Sequence, residues 1–253
     1  DIYIHAGKIY DTDSGKLSSE KTIIISDNII KSIENGYKEV SDDNIKIYDL
    51  KSKVVLPGLI DFHVHMESQS GGQDRYIKRF QDNKADIAFK SSVIAKKTLM
   101  AGFTTVRDVG GSGVNISLRN AINNGVVPGP RIFTSGKTIA TTGGHGDRTN
   151  GYRDDLVDDP GPEQGVVNSI ADARKAVRYR YKNGADLIKI TATGGVMSLA
   201  KNGQNPQFTE EVIREIVKTA DDYGMHVAAH AHGDEGMFRA VNAGVTTIEH
   251  GSI

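Results

Sequence analysis

An α/β fold is the prediction: a (β/α)8 barrel of TIM type with its first six βα units present, behind a short sheet-forming segment. Two rhythms carry it. Residues 1–56 alternate short β-branched runs with Asp/Asn/Gly turns, the pattern of a small antiparallel sheet. After Pro57 the order becomes strand then helix, the mark of βα units. A third observation agrees with these. Polar residues of metal-ligand type recur at the carboxyl ends of successive apolar runs, where barrels of this type gather their chemistry.

In the leading segment, Ile2-Tyr3-Ile4-His5-Ala6 runs to a turn at Asp11-Thr12-Asp13-Ser14-Gly15, and strands are expected at 22–25, 29–33 and 45–48. The barrel strands are expected at 59–65, 104–108, 131–135, 187–191, 226–230 and 246–250. Helices are expected between them near 87–100, 115–123, 169–182, 210–223 and 235–242. Gly102, Gly125, Gly184, Gly224 and Gly244 each follow one of these helical stretches, as C-terminal stops do. Two domains are therefore expected, 1–56 and 57–253. A complete barrel takes about 250 residues, roughly 31 per unit, so the second stretch has room for about six units. An open six-stranded sheet leaves two edges and an unsealed core. The expectation is a barrel incomplete at its C-terminus, closed by the rest of a longer polypeptide or by a complementary chain.

Composition excludes several functions. The 31 Lys and Arg stand against 32 Asp and Glu, a net charge of −1 with mixed signs, so neither nucleic acid nor an anionic membrane is an expected partner. The absence of cysteine removes disulfides and thiolate metal sites together. Any metal must use His nitrogen, carboxylate oxygen or a modified lysine. No apolar run approaches the ~20 residues that span a bilayer. The chain opens at Asp1 without a basic-then-apolar leader, which fits a cytoplasmic chain and an exported mature form equally. Gly110-Gly111-Ser112-Gly113 lacks both the P-loop lysine and the dinucleotide spacing, so a nucleotide site is not expected.

Five residues stand out as metal candidates: His63, His65, Lys189, His230 and His250. Residues i and i+2 of a strand share a face, so His63 and His65 can reach one ion. Lys189 lies in the apolar run Leu187-Ile188-Lys189-Ile190, where an ammonium is costly to bury and its pKa falls. His226, His230 and His232 share strand parity, while His5 lies in the leading sheet and needs no functional role. His145, in the glycine-rich loop Thr142-Gly143-Gly144-His145-Gly146-Asp147, is a candidate to hydrogen-bond a carbonyl oxygen as it gains charge. Arg148 and Tyr152, with Arg153 behind them, are candidates to grip a substrate carboxylate. The segment from Thr193 to Ser198, including Met197, is expected to line the leaving-group pocket. Asp108 is expected to be structural, orienting a neighbour or pairing with Arg107.

The order His-x-His, Lys, His, His resembles the amidohydrolase superfamily. So do the stretches Pro57-Gly58-Leu59-Ile60-Asp61-Phe62-His63-Val64-His65, Ala101-Gly102-Phe103-Thr104-Thr105-Val106-Arg107-Asp108 and the His145 loop. Its branch of imidazolonepropionase-related and prolidase-like proteins is the most similar, and Lys189 favours the prolidase-like side. The resemblance implies that residues 1–56 are the first part of a β-sandwich. It implies a CO2-derived carbamate on Lys189 bridging two divalent ions, His63 and His65 on the more buried ion and His230, rather than His232, with His250 on the other. Zn²⁺ is the first expectation for both ions, with Mn²⁺, Co²⁺ and Fe²⁺ left open. The implied reaction is hydrolysis of a peptide-like amide, a dipeptide such as Xaa-Pro, by a hydroxide shared between the ions, with His145 and Lys189 as catalytic residues. An aspartate on the eighth strand serves as proton shuttle in that family, so the 253-residue chain alone is expected to be inactive. A cyclic-amide or lactone hydrolase on the same centre is the second reading, and a non-catalytic fragment that docks to a complementary chain the third. A homo-oligomer is left open.

Overall fold

The computed structural model describes the chain apart from residues 40, 43, 69–73, 197, 199, 200 and 253 and the side chains of 74–76 and 79. It falls into two compact units, Asp1–Gly58 and Leu59–Ile253. Among the described residues no helix is long and apolar enough to cross a membrane.

The first unit is a four-stranded sheet in the order β3-β2-β1-β4, formed by β1 (Ile2–Asp11), β2 (Lys16–Ser26), β3 (Ile29–Asn35) and β4 (Lys46–Val55). The β1–β2 turn is closed by the Asp11 carboxylate, which accepts from the Asp13 amide at 3.0 Å and the Ser14 hydroxyl at 2.7 Å. Ala6, Ile9 and Ile23 form its small core, with Ile4, Ile25 and Val55 packed against them. The expectation of an antiparallel sheet needs one correction, because β4 runs parallel to β1. The reason is the length of the β3–β4 connection. Residues 36–45 are too many for a tight hairpin, and the chain crosses to the far side of β1 before pairing.

In the second unit, strands alternate with helices and all pair in parallel, the α/β pattern read from the sequence. β5 (Leu59–Val64), β6 (Phe103–Asp108) and β7 (Arg131–Thr134) make one sheet, and β8 (Leu187–Thr191), β9 (His226–His232) and β10 (Thr247–Ser252) another. The backbone joins the two. The Asp186 amide donates to Thr134 O at 2.8 Å, and Ile139 both donates to Lys189 O and accepts from the Thr191 amide, at 2.8 and 3.0 Å. Helices α2 (Lys84–Met100), α3 (Val114–Asn123), α4 (Ile170–Lys182), α5 (Glu210–Asp221) and α6 (Asp234–Asn242) lie within two or three residues of their expected bounds. The five stop glycines take φ of +98°, +70°, +85°, +66° and +93° at 102, 125, 184, 224 and 244, a backbone that L side chains adopt only at a cost. One helix was not expected, α1 (Asp74–Gln81). Its apolar signal is one pair, Ile77 and Phe80, too little for a periodic reading. The main core lies where α4, α5 and α6 cover β8 and β9, built on Val177, Ile188, Ile190, Ile213, Ile216 and Val227.

Candidate metal centre

Parallel strands present their carboxyl ends on one side, and this topology gathers residues far apart in sequence. His63 in β5, His230 in β9 and His250 in β10 form a chain of rings, with His63–His250 centroids 4.8 Å apart and His230–His250 4.7 Å. His65 follows β5 directly, its ring edge-on to His63 at 5.4 Å. Lys189, in the middle of β8, is 4% exposed. The structure therefore brings the imidazoles into one cluster beside this buried lysine, whose charge is felt by His230 and His250.

The hydrogen bonds decide which nitrogens face a ligand. His63 Nδ1 meets the Glu249 carboxylate at 2.7 Å, and His65 Nδ1 the Gly110 carbonyl at 2.8 Å. Both partners are acceptors, so each Nδ1 carries the proton and each Nε2 the lone pair. His230 is turned the other way, its Nε2 donating to Gly194 O at 2.7 Å, so its lone pair is on Nδ1. Burial drives His230 down to about 3 and, with the charges of His63 and Lys189, His250 down to about 4, so both rings are neutral ligands at pH 7. Burial also brings the Lys189 ammonium down to about 8, against the attraction of Glu249. Among the described residues it has no hydrogen-bond partner. A neutral-imidazole set beside a lysine poised to lose its proton suits a divalent cation. Among the described residues, His230, His232 and His250 offer ligand atoms within 4.8 Å of one another.

The remaining candidates divide. His145 stacks on His230 at 4.3 Å with 21° between the rings, and its amide donates to Gln207 Oε1 at 2.8 Å. Gly195 faces that ring so closely that a Cβ there would lie 2.5 Å from His145 Cε1. Arg148 donates to the carbonyl of Gly111, next to the Gly110 that holds His65. Tyr152 packs edge-on to Phe80 of α1 at 5.3 Å, and Arg153 pairs with Asp155 at the surface. His226 is exposed at the opposite end of β9, and His5 Nε2 donates to Lys38 O at 3.0 Å. Of the 193–198 segment, Met197 lies outside the described residues.

Two findings correct or extend the sequence reading. Arg107 does not pair with Asp108. Its guanidinium crosses from β6 to β10, donating to the Glu249 carboxylate and to Thr247 Oγ1, while its Nε donates to Phe62 O at 2.7 Å. Asp108 is fully buried and structural, accepting from the Met66 and Gly110 amides and from Asn115 Nδ2. Glu249 is the residue that motif reading missed. It is 6% exposed and links Arg107, Thr247 and His63. A signal was present in the strand parity, since Thr247 and Glu249 point to one face. A carboxylate on an inward face calls for a cation, and Arg107 on β6 is that cation. Burial raises its carboxyl, yet His63, Thr247 and the Arg107 and Lys189 charges prevail and hold it at about 2.

A model described as amidohydrolase family matches residues 54–253. Among solved structures, the chain is 52% identical to a Xaa-Pro dipeptidase crystallised with methionine in its active site, with a TM-score of 0.93 over 99% of this chain and 61% of that one. It is 35% identical to a prolidase complexed with N-methylphosphonate-L-proline, with a TM-score of 0.85, covering 99% of this chain and 60% of that one. Among curated proteins it is 31% identical to ochratoxinase of Aspergillus niger, over 98% of this chain and 53% of that protein. The chain thus spans about half the length of that curated relative.

Proposed function

Since the chain belongs to the amidohydrolase family, we propose that it forms the metal-binding part of an enzyme that hydrolyses a peptide-like amide, with Xaa-Pro or a related dipeptide as substrate. The observation that carries this reading is the convergence of His63, His65, His230 and His250 beside the buried Lys189. The identity of 52% with a Xaa-Pro dipeptidase supports the substrate class. His63 and His65 would hold one of two divalent cations and His230 and His250 the other, with Lys189 contributing to both. A CO2-derived carbamate on its amine would supply oxygen ligands to the cations. Zn²⁺ suits this nitrogen and oxygen donor set. When bound, such a pair generates a nucleophile from water near neutral pH and polarises the amide carbonyl.

The chain's own residues do the rest. His145, held against His230, donates a hydrogen bond to the carbonyl oxygen as it acquires negative charge, an effect of about 10²–10³ in rate. Arg148 and Tyr152, on the loop that carries His145, are the candidates to receive the substrate carboxylate. The departing amine takes its proton from a carboxyl group outside these 253 residues, in the remainder of a longer polypeptide or a complementary chain. The test is a dipeptide panel assayed with the 253-residue chain alone and with a protein of the relatives' full length. Xaa-Pro hydrolysis by the longer protein, absent from the shorter and from Lys189→Ala, is the expected result. Equal turnover by the short chain, or preference for a cyclic amide, contradicts it.

A further inference from the structure

Arg180 has no role in the reading above, and it stands where the pattern of α4 calls for an apolar side chain. The helix turns Ala173, Ala176, Val177 and Arg180 towards the core, positions i, i+3, i+4 and i+7 of one stripe. Arg180 is 3% exposed, and among the described residues no carboxylate pairs with it. A buried guanidinium without a counter-charge is costly unless its donors are met. Burial pulls it from 12.5 down to about 10, so it still carries its charge at neutral pH.

Its donors are met by backbone carbonyls from both stems of one loop. After β7, Nε donates to Lys137 O at 2.8 Å and Nη2 to Thr138 O at 3.5 Å. On the return towards α4, Nη1 donates to Pro162 O and Glu163 O at 3.3 and 3.4 Å. Beside this clamp the Ala140 amide donates to Gly165 O at 2.8 Å, and the Val167 amide to Ala140 O at 2.9 Å. Gly165, at φ +112°, leaves the guanidinium its room. A Cβ there would lie 2.3 Å from Thr138 O and 2.9 Å from Arg180 Nη2.

The excursion between these stems carries His145, Arg148 and Tyr152. Its tip is braced within itself. The Asp147 carboxylate accepts from the Gly143 amide at 2.9 Å and the Thr149 hydroxyl at 2.7 Å, and Asn150 Nδ2 donates to Gly144 O at 2.7 Å. A stiff tip on two stems goes where the stems put it.

We propose that Arg180 is a positioning residue for His145: its planar fork fixes the spacing of the two stems and so places the His145 ring against His230. This rests on the role given to His145 above. A lysine cannot replace the fork, because three donors on one nitrogen do not reach carbonyls on both stems.

A double-mutant cycle of Arg180→Lys and His145→Ala, in a protein of the relatives' full length with an Xaa-Pro substrate, tests it. Arg180→Lys alone is expected to lower kcat on the order of 10²-fold, the effect of a displacement of about 1 Å, with KM and cation content unchanged. In the His145→Ala background it lowers kcat no further, because nothing remains to be positioned. The same loss in both backgrounds, no loss in either, or a fall in cation content along with kcat overturns the proposal and leaves the hydrolase reading intact. A normal kcat in His145→Ala alone overturns the role of His145 and the proposal with it. Hydrogen exchange of the unsubstituted protein supplies a reading that needs no variant to fold. The His145 and Asp147 amides are expected to be protected as strongly as those of β8, and exchange at the rate of free backbone overturns the clamp.

Discussion

Between the His63 imidazole and the Arg107 guanidinium lies one buried carboxylate, Glu249, and removing it does two separable things. His63 loses the acceptor that fixes its Nδ1 proton, and Arg107, with 18% of its side chain exposed, loses its counter-charge. Glu249→Gln keeps the shape while removing the charge, and is expected to weaken cation binding about 10–100-fold by competition titration. Glu249→Ala is expected to cost about 3–5 kcal/mol in urea unfolding as well, because it strands a largely buried cation. Equal affinity in all three proteins removes Glu249 from the metal site. Gly195 makes a complementary prediction. A methyl group there strikes the His145 ring, so Gly195→Ala in the full-length protein should lower kcat by about 10²–10³ with cation content unchanged. A normal kcat in that variant ends the role given to His145. The histidines were legible because i, i+2 spacing is a local signal. Glu249 was not, because its partners are 142 and 186 residues away in sequence and only the sheet order joins them.

The strand–loop junction after β6 is held by Asp108, which accepts from Met66, Gly110 and Asn115 and so sets the carbonyl that orients His65. Burial pushes its carboxyl from 3.8 up to about 7 against the pull of these donors. The native state therefore keeps this proton at pH values where the unfolded chain has released it. Stability from this group is full below about pH 4 and declines as pH rises towards 7, by up to about 4 kcal/mol. Urea unfolding at several pH values should show that decline in the unsubstituted chain and a flatter profile in Asp108→Asn. Parallel profiles contradict it. At this scale the sequence was a good guide for the βα units, since their periodicity and their stop glycines are written within each segment. It was a poor guide for α1, whose polar surface hides a single apolar pair, and for the direction of β4. Pairing direction depends on where a ten-residue connection goes, and no residue within β4 encodes that.

For the whole molecule, family membership and fold agree with a reading made from four short motifs, because those motifs sit where parallel strands must end. Substrate is a different matter. The loops that select it carry no pattern, and Arg148 and Tyr152 turn to Gly111 and Phe80 in ways their neighbours in sequence do not announce. The chain spans 53–61% of the ochratoxinase, dipeptidase and prolidase chains named above, so activity belongs to a test on a protein of their length. The central claim, a two-cation centre bridged through Lys189, is tested most directly by metal analysis of that longer protein with and without bicarbonate, beside Lys189→Ala. About two cations per chain, dependent on bicarbonate and falling to one or fewer in the variant, is the predicted result. Two cations retained in Lys189→Ala, indifferent to bicarbonate, would contradict it.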